Sequence, residues 1–238
     1  MNKIRLFCFP FAGGSQYSFN GFVKHAPENL VLHPLDLPGR GRRLGEACLT
    51  NMEDLVRDAL PSIEPYAHQP YAIYGHSMGS LLGLLVARRI FREQLPPPLA
   101  LILSGRGAPS VRHGRPPKYL LPRPQFIARL KEMGGDTQVF EDEKLMEFFE
   151  PILRADMQAG ETYIYENHPP MDIPITLLIG SEEGISDEEV QGWQKESRFP
   201  LDVITMPGNH FFILDHEQAI MELIARKLIA SSRSSHAQ

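Results

Sequence analysis

Cysteine is scarce in this sequence. The 238 residues hold two, Cys8 inside an apolar run and Cys48 in a polar stretch, too few for a disulfide framework. Long apolar runs are missing too: none reaches the roughly 18 residues that span a bilayer. The opening MNKIRLFCFP lacks the extended apolar region of a signal peptide. A basic excess is also missing, and the formal charge of −5 has the wrong sign for a dedicated nucleic-acid binder. Repeats are absent, and the one low-complexity segment, the tail SSRSSHAQ, is expected to be disordered over 231–238. What is left is a cytoplasmic, monomeric globular protein with neither nucleic acid nor membrane as partner. At 238 residues and 42% hydrophobic it is long and apolar enough for one domain with a full core.

Short apolar runs recur as IRLFCF (4–9), LVLHPL (30–35), YAIYG (71–75), ALILS (100–104), ITLLIG (175–180) and LDVITM (201–206). Several are apolar on consecutive positions, as a parallel strand covered on both faces requires. Helical patterns lie between them. Met52, Leu55, Val56, Ala59, Leu60 and Ile63 share one face, Thr50 and Glu53 have capping-box spacing, and LLGLLVARRI (81–90) is apolar almost all round. The alternation predicts an α/β fold with a mostly parallel, doubly wound sheet.

One interval breaks the rhythm. Between the fourth and fifth strands lie about seventy residues without a strand pattern, holding the helical stretches PQFIARLKEM and DEKLMEFFEPILRADMQAGETYIY. This predicts a helical lid over about 110–168, lying across the end of the sheet where open α/β folds bind ligands.

Gly75-His76-Ser77-Met78-Gly79 falls directly between a strand and a buried helix. A nucleophile elbow needs that context: the turn exposes the serine hydroxyl, and the glycines permit close packing. Ser77 is therefore the candidate nucleophile. His76 is a supporting residue, since adjacent side chains at an elbow diverge. The helix N-terminus adds partial positive charge beside a developing oxyanion. One oxyanion donor is then the Met78 N–H. The second comes from FCFPFAGGSQYSF, where Ala12 or Phe11 supplies it.

In α/β hydrolases the order along the chain is serine, acid, histidine, with the histidine after the last strand. VITMPGNHFFILDHE offers His210 and His216 there. His210 directly follows a turn and is the candidate base, while His216 sits where the final helix begins. Five carboxylates, Glu182, Glu183, Asp187, Glu188 and Glu189, crowd the segment after the fifth strand. Ser186 and Glu189 have capping-box spacing, which gives the later acids a helix-start explanation.

The chain resembles the type II thioesterases, free-standing α/β hydrolases that accompany polyketide and non-ribosomal peptide synthetases. FPFAGGS, LPGR (37–40), PYAIYGHSMGSLLG, SGRGAPS (104–110), LKEMGG, PILRAD, GSEE and PGNHFF carry the likeness over nearly the whole chain. The resemblance implies hydrolysis of acyl groups from the phosphopantetheine arm of acyl or peptidyl carrier proteins, with no metal and no cofactor. Two departures stand out. Phe11 replaces a histidine usual in the first motif, and Glu183 occupies the place of the usual aspartate. Glu183 is therefore the implied triad acid, with Glu182 and Asp187 as alternatives.

The expected acyl chamber draws on Met146, Phe148, Phe149, Ile152 and Met157. From Gly105 to Lys131 there are seven basic residues and no acidic one. Of these, Arg112, Arg115 and Lys118 are candidates for docking an acidic carrier domain. The alternatives are a general serine esterase or lipase without a carrier, and a catalytically weak carrier-binding protein.

Overall fold

The computed structural model describes residues 3–111, 116–135 and 137–234. In chain order the first elements are β1 (Ile4–Phe9), α1 (Asn20–His25), β2 (Leu30–Pro34), α2 (Met52–Ala59), β3 (Tyr71–His76), α3 (Met78–Arg92) and β4 (Leu101–Ser104). The interval that breaks the rhythm holds α4 (Arg123–Glu132), α5 (Thr137–Glu141) and α6 (Glu143–Thr162). The chain then returns through β5 (Ile175–Gly180), α7 (Asp187–Gln191), β6 (Asp202–Met206), α8 (Phe212–Asp215) and α9 (Glu217–Ser234).

Among the described residues the sheet has six strands in the order β2-β1-β3-β4-β5-β6, every neighbouring pair parallel. The strands are apolar at consecutive positions because alternate side chains feed two cores. In β1, Phe7 and Phe9 join the core under α2 and α3, whereas Leu6 and Cys8 join the core under α1 and α9. In β4, Leu101 and Leu103 face the first core and Ile102 the second. A sheet covered on both sides leaves its strand ends as the accessible surface. The chain runs outward from β1 to β2 and then resumes on the other side at β3, so the carboxyl ends of β1 and β3 flank a topological switch point. A third core of Phe126, Leu130, Leu153 and Met157 holds α4 and α6 together.

Some boundaries differ from the sequence pattern. The cap of α2 is Asn51, whose side-chain oxygen accepts the Asp54 N–H at 2.9 Å, and not a Thr50–Glu53 box. Asn51 directly precedes the first helical residue in extended backbone, the geometry a capping side chain needs. The Ser186–Glu189 box forms as expected. Helix α6 stops at Thr162, where Tyr163 turns extended and packs on the first core. Helix α9 continues to Ser234, past residue 231, because adding a residue to a formed helix costs little. Residues 235–238 of the expected tail lie outside the described residues.

Candidate active site

The turn from β3 into α3 holds Ser77 at φ 57° and ψ −114°, a region that side-chain-bearing residues rarely occupy. Its N–H donates to Ser104 O at 2.8 Å, which ties the turn to β4. The flanking glycines are required by contact. A Cβ on Gly75 would strike the Gly79 carbonyl, and one on Gly79 would strike the Phe9 carbonyl of β1. The GxSxG pattern is thus the imprint of three backbones packed too closely for side chains.

His210 sits just beyond β6, after the turn at Pro207, Gly208 and Asn209. Its Nε2 lies 2.9 Å from Ser77 Oγ and its Nδ1 2.6 Å from Glu183 Oε1. The second Glu183 oxygen accepts the Gly180 N–H at 2.6 Å, and the carboxylate side chain is 2% exposed. The other carboxylates serve elsewhere or face solvent. Glu182, Asp187 and Glu188 are exposed, while Glu189 closes the capping box. His216 bonds Pro207 O at 2.9 Å through its Nε2.

His76 is fully buried, with Nδ1 2.9 Å from Ser104 Oγ. That hydroxyl also meets Tyr74 OH at 2.9 Å. Burial, reinforced by the neighbouring His210, holds the His76 imidazole well below its ordinary pKa. It is therefore a neutral ring at physiological pH. Its ring centroid lies 4.9 Å from that of His210, so it packs behind that imidazole. Phe11 stands edge-on to His76 at 5.8 Å and to Phe211 at 5.2 Å.

The loop after β1 folds as a tight turn, with the Gly14 N–H donating to Phe11 O at 2.9 Å. The Gly13 N–H donates to Asp156 Oδ2 at 2.7 Å. Those two amides are therefore committed, which leaves the Phe11 and Ala12 N–H groups as the donors this loop can offer. The Met78 N–H lies in the first turn of α3, where no carbonyl within the helix reaches it.

Ser77, His210 and Ala12 open onto a cavity of about 490 Å³. Phe149, Leu153 and Met157 recur every four residues along α6 and line it, together with Leu130 and Met133 near the end of α4 and Phe140 of α5. Met146 and Phe148 do not line it. Phe148 is turned about 100° round the helix from Phe149, is 45% exposed and packs edge-on against that ring. Met146 and Ile152 are buried in side-chain packing. Leu130, Met133, Phe140 and Leu214 gave no sequence signal beyond their helical periodicity; Phe211 adjoins the base in PGNHFF.

Arg112 and Arg115 lie outside the described residues. Lys118 is not a free cation, since its Nζ is 2.8 Å from Glu161. Arg123, Arg129 and Lys131 likewise pair with Glu150, Glu132 and Glu141. The acid-free stretch gains acidic neighbours from the end of α4 and from α5 and α6 folding against it.

A parallel sheet carrying a serine on a strained elbow, a histidine beyond the last strand and a buried carboxylate behind it defines a serine hydrolase of the α/β-hydrolase class. Within that class the chain belongs to the Thioesterase domain family, which matches residues 4–228. It is 33% identical to the gramicidin S biosynthesis protein GrsT of Aneurinibacillus migulanus, over 95% of this chain and 89% of that one. It is 31% identical to the medium-chain S-acyl fatty acid synthase thioesterase of Rattus norvegicus, over 96% and 89%. Among solved structures it superposes on the type II thioesterase BorB from the borrelidin biosynthetic cluster with a TM-score of 0.86 and 32% identity, covering 95% and 93% of the chains. No helix among the described residues is long and apolar enough to cross a membrane.

Proposed function

We propose that this protein is a cytoplasmic editing thioesterase, which removes acyl groups from the phosphopantetheine arm of carrier proteins in polyketide or non-ribosomal peptide assembly. The observation that carries the reading is the Ser77–His210–Glu183 relay opening onto an apolar cavity. Its likeness to GrsT and BorB supports the carrier-bound substrate.

Ser77, His210 and Glu183 act as nucleophile, base and orienting acid. His210 Nε2 takes the Ser77 proton as Oγ attacks the thioester carbonyl. The Met78 and Ala12 amides receive the resulting oxyanion, and Glu183 holds the imidazole in the required tautomer and stabilises the imidazolium. His210 returns the proton to the departing pantetheine thiol. Water deprotonated by His210 then attacks the acyl-serine, and collapse releases the carboxylic acid and restores Ser77. No metal or cofactor enters. All three residues come from one chain, so the mechanism needs no second subunit.

The α4–α6 insertion acts as the lid, and Phe149, Leu153 and Met157 receive the acyl chain. Carrier docking falls to Arg112 and Arg115 at the insertion's start, because Lys118 is engaged by Glu161.

The test presents one acyl group three ways: on a carrier protein, on N-acetylcysteamine and as an ethyl ester. A higher kcat/KM for the carrier thioester than for either small substrate, with fluorophosphonate labelling lost in Ser77→Ala, is the expected result. Equal or faster turnover of the ethyl ester would replace this reading with a general esterase.

A further inference from the structure

Asp156 of α6 is fully buried, yet it touches neither the nucleophile nor the cavity. Its Oδ2 accepts the Gly13 N–H at 2.7 Å and meets Arg40 Nη1 in a close ion pair. Arg40 is 3% exposed and donates from Nε and Nη2 to Pro38 O, at 3.3 and 3.1 Å. Three segments distant in sequence thus meet at one carboxylate: the loop after β1, the loop after β2 and the long helix of the insertion.

The same helix face grips Gly13 a second time. Leu153, one turn before Asp156, stands so close that its Cδ2 would be 2.6 Å from a Cβ on Gly13. Leu153 and Met157, on either side of Asp156, both line the acyl cavity. Gly13 lies next to Ala12, the second oxyanion donor of the proposed mechanism, and the Gly14–Phe11 hydrogen bond closes that loop into a tight turn.

We propose that Asp156, clamped by Arg40, is the positioning residue of the oxyanion hole: by holding the Gly13 N–H it sets the direction of the Ala12 N–H. Helix α6 then forms the acyl-chamber wall with one pair of side chains and holds an oxyanion donor with the residue between them. The pair also explains why a charge is kept in a dry interior. Burial pushes the Asp156 carboxyl up, and the Arg40 guanidinium and the Gly13 amide oppose that shift; the close pair with Arg40 makes the hydrogen bond to Gly13 a charge-assisted one. The inference rests on the reading of Ser77 as the nucleophile of a thioesterase.

A buried ion pair replaced as a unit by apolar groups of similar volume is frequently neutral for stability. The double variant Arg40→Met/Asp156→Leu should therefore fold, with Tm close to wild type, but leave Gly13 unheld. Turnover of a short acyl-N-acetylcysteamine is measured per fluorophosphonate-titrated site. The expected result is a kcat lower by at least about tenfold, with KM within about threefold, as for a misplaced oxyanion donor. An unchanged kcat in the folded double variant, or a rise in KM alone, overturns the inference.

Should that variant fail to fold, two others that also remove both charges decide it. Arg40→Met/Asp156→Asn keeps an oxygen for Gly13 and retains most of the kcat, whereas Arg40→Met/Asp156→Ala loses at least about tenfold relative to it. Equal kcat values overturn the inference. Wild-type protein that neither labels nor turns over thioesters would instead refute the thioesterase reading beneath it.

Discussion

Glu183 holds His210 with one oxygen and the end of its own strand with the other: Oε1 lies 2.6 Å from His210 Nδ1, and Oε2 accepts the Gly180 N–H at 2.6 Å. The glutamate side chain is long enough to reach both groups from the loop that follows β5. Gly184 beside it takes φ +66°, in the left-handed region. Both carboxylate oxygens are thereby fixed.

Glu183→Gln should lower kcat by about a thousandfold, since an amide offers the imidazole a competing donor and no charge. Circular dichroism and Tm should change little. Glu183→Asp is expected to lose a similar share, because the shorter side chain cannot span both His210 Nδ1 and Gly180 N. Activity near wild type in Glu183→Gln would move the acid elsewhere.

His76 predicts a pH dependence of stability. Its folded-state pKa is depressed, so above its ordinary value of about 6.5 both folded and unfolded states are neutral and the residue adds no slope. As pH falls below that value, the unfolded chain takes a proton that the folded protein refuses. Stability then declines by up to about 1.4 kcal/mol per pH unit from this one site. Urea unfolding of wild type and His76→Gln between pH 7 and 5 should show the flatter slope in the variant, and identical slopes would refute the prediction.

The acyl chamber is tested by two adjacent phenylalanines. Phe149→Ala removes a cavity wall and should lower kcat/KM for medium-length acyl thioesters by about tenfold, through lost apolar contact. Phe148→Ala, on the exposed side of α6, should leave the same substrates within about twofold. Equal losses would mean that the chain enters by another route.

Docking separates from chemistry by charge reversal. Arg112→Glu with Arg115→Glu should weaken hydrolysis of an acyl-carrier protein by about tenfold or more, most at low ionic strength, and spare the N-acetylcysteamine thioester. Parallel losses on both substrates would exclude docking at these positions. Lys118→Ala breaks its part-exposed pair with Glu161 and should change stability by no more than about 1 kcal/mol.

Much of the site was legible along the chain. The elbow is local, so Gly75, Ser77 and Gly79 announce it within five residues. The six strands among the described residues coincide with the short apolar runs of the sequence, and several of those runs are apolar at consecutive positions because the inner strands are covered on both faces. The choice among Glu183, Glu182 and Asp187 was open on the residues alone, and it is Glu183 whose carboxylate reaches His210 in the fold.

Other features needed the fold. Met146, Phe148 and Phe149 look alike in sequence, and only the rotation of α6 against the cavity separates them. The charge of Lys118 reads as free until Glu161, 43 residues on, is brought beside it. Arg40 and Asp156 lie 116 residues apart, each ordinary in its own context, and meet only when the insertion lies across the sheet.

The sequence by itself determined the class, the elbow serine, the histidine beyond the last strand and the sheet, because each is written in short-range spacing that backbone geometry dictates. The tertiary structure decided which carboxylate meets His210, which side chains of α6 line the cavity and what holds the loop after β1. Those depend on side chains from separate segments converging at one point, and convergence is set by how the helices of the insertion pack, which no local pattern encodes.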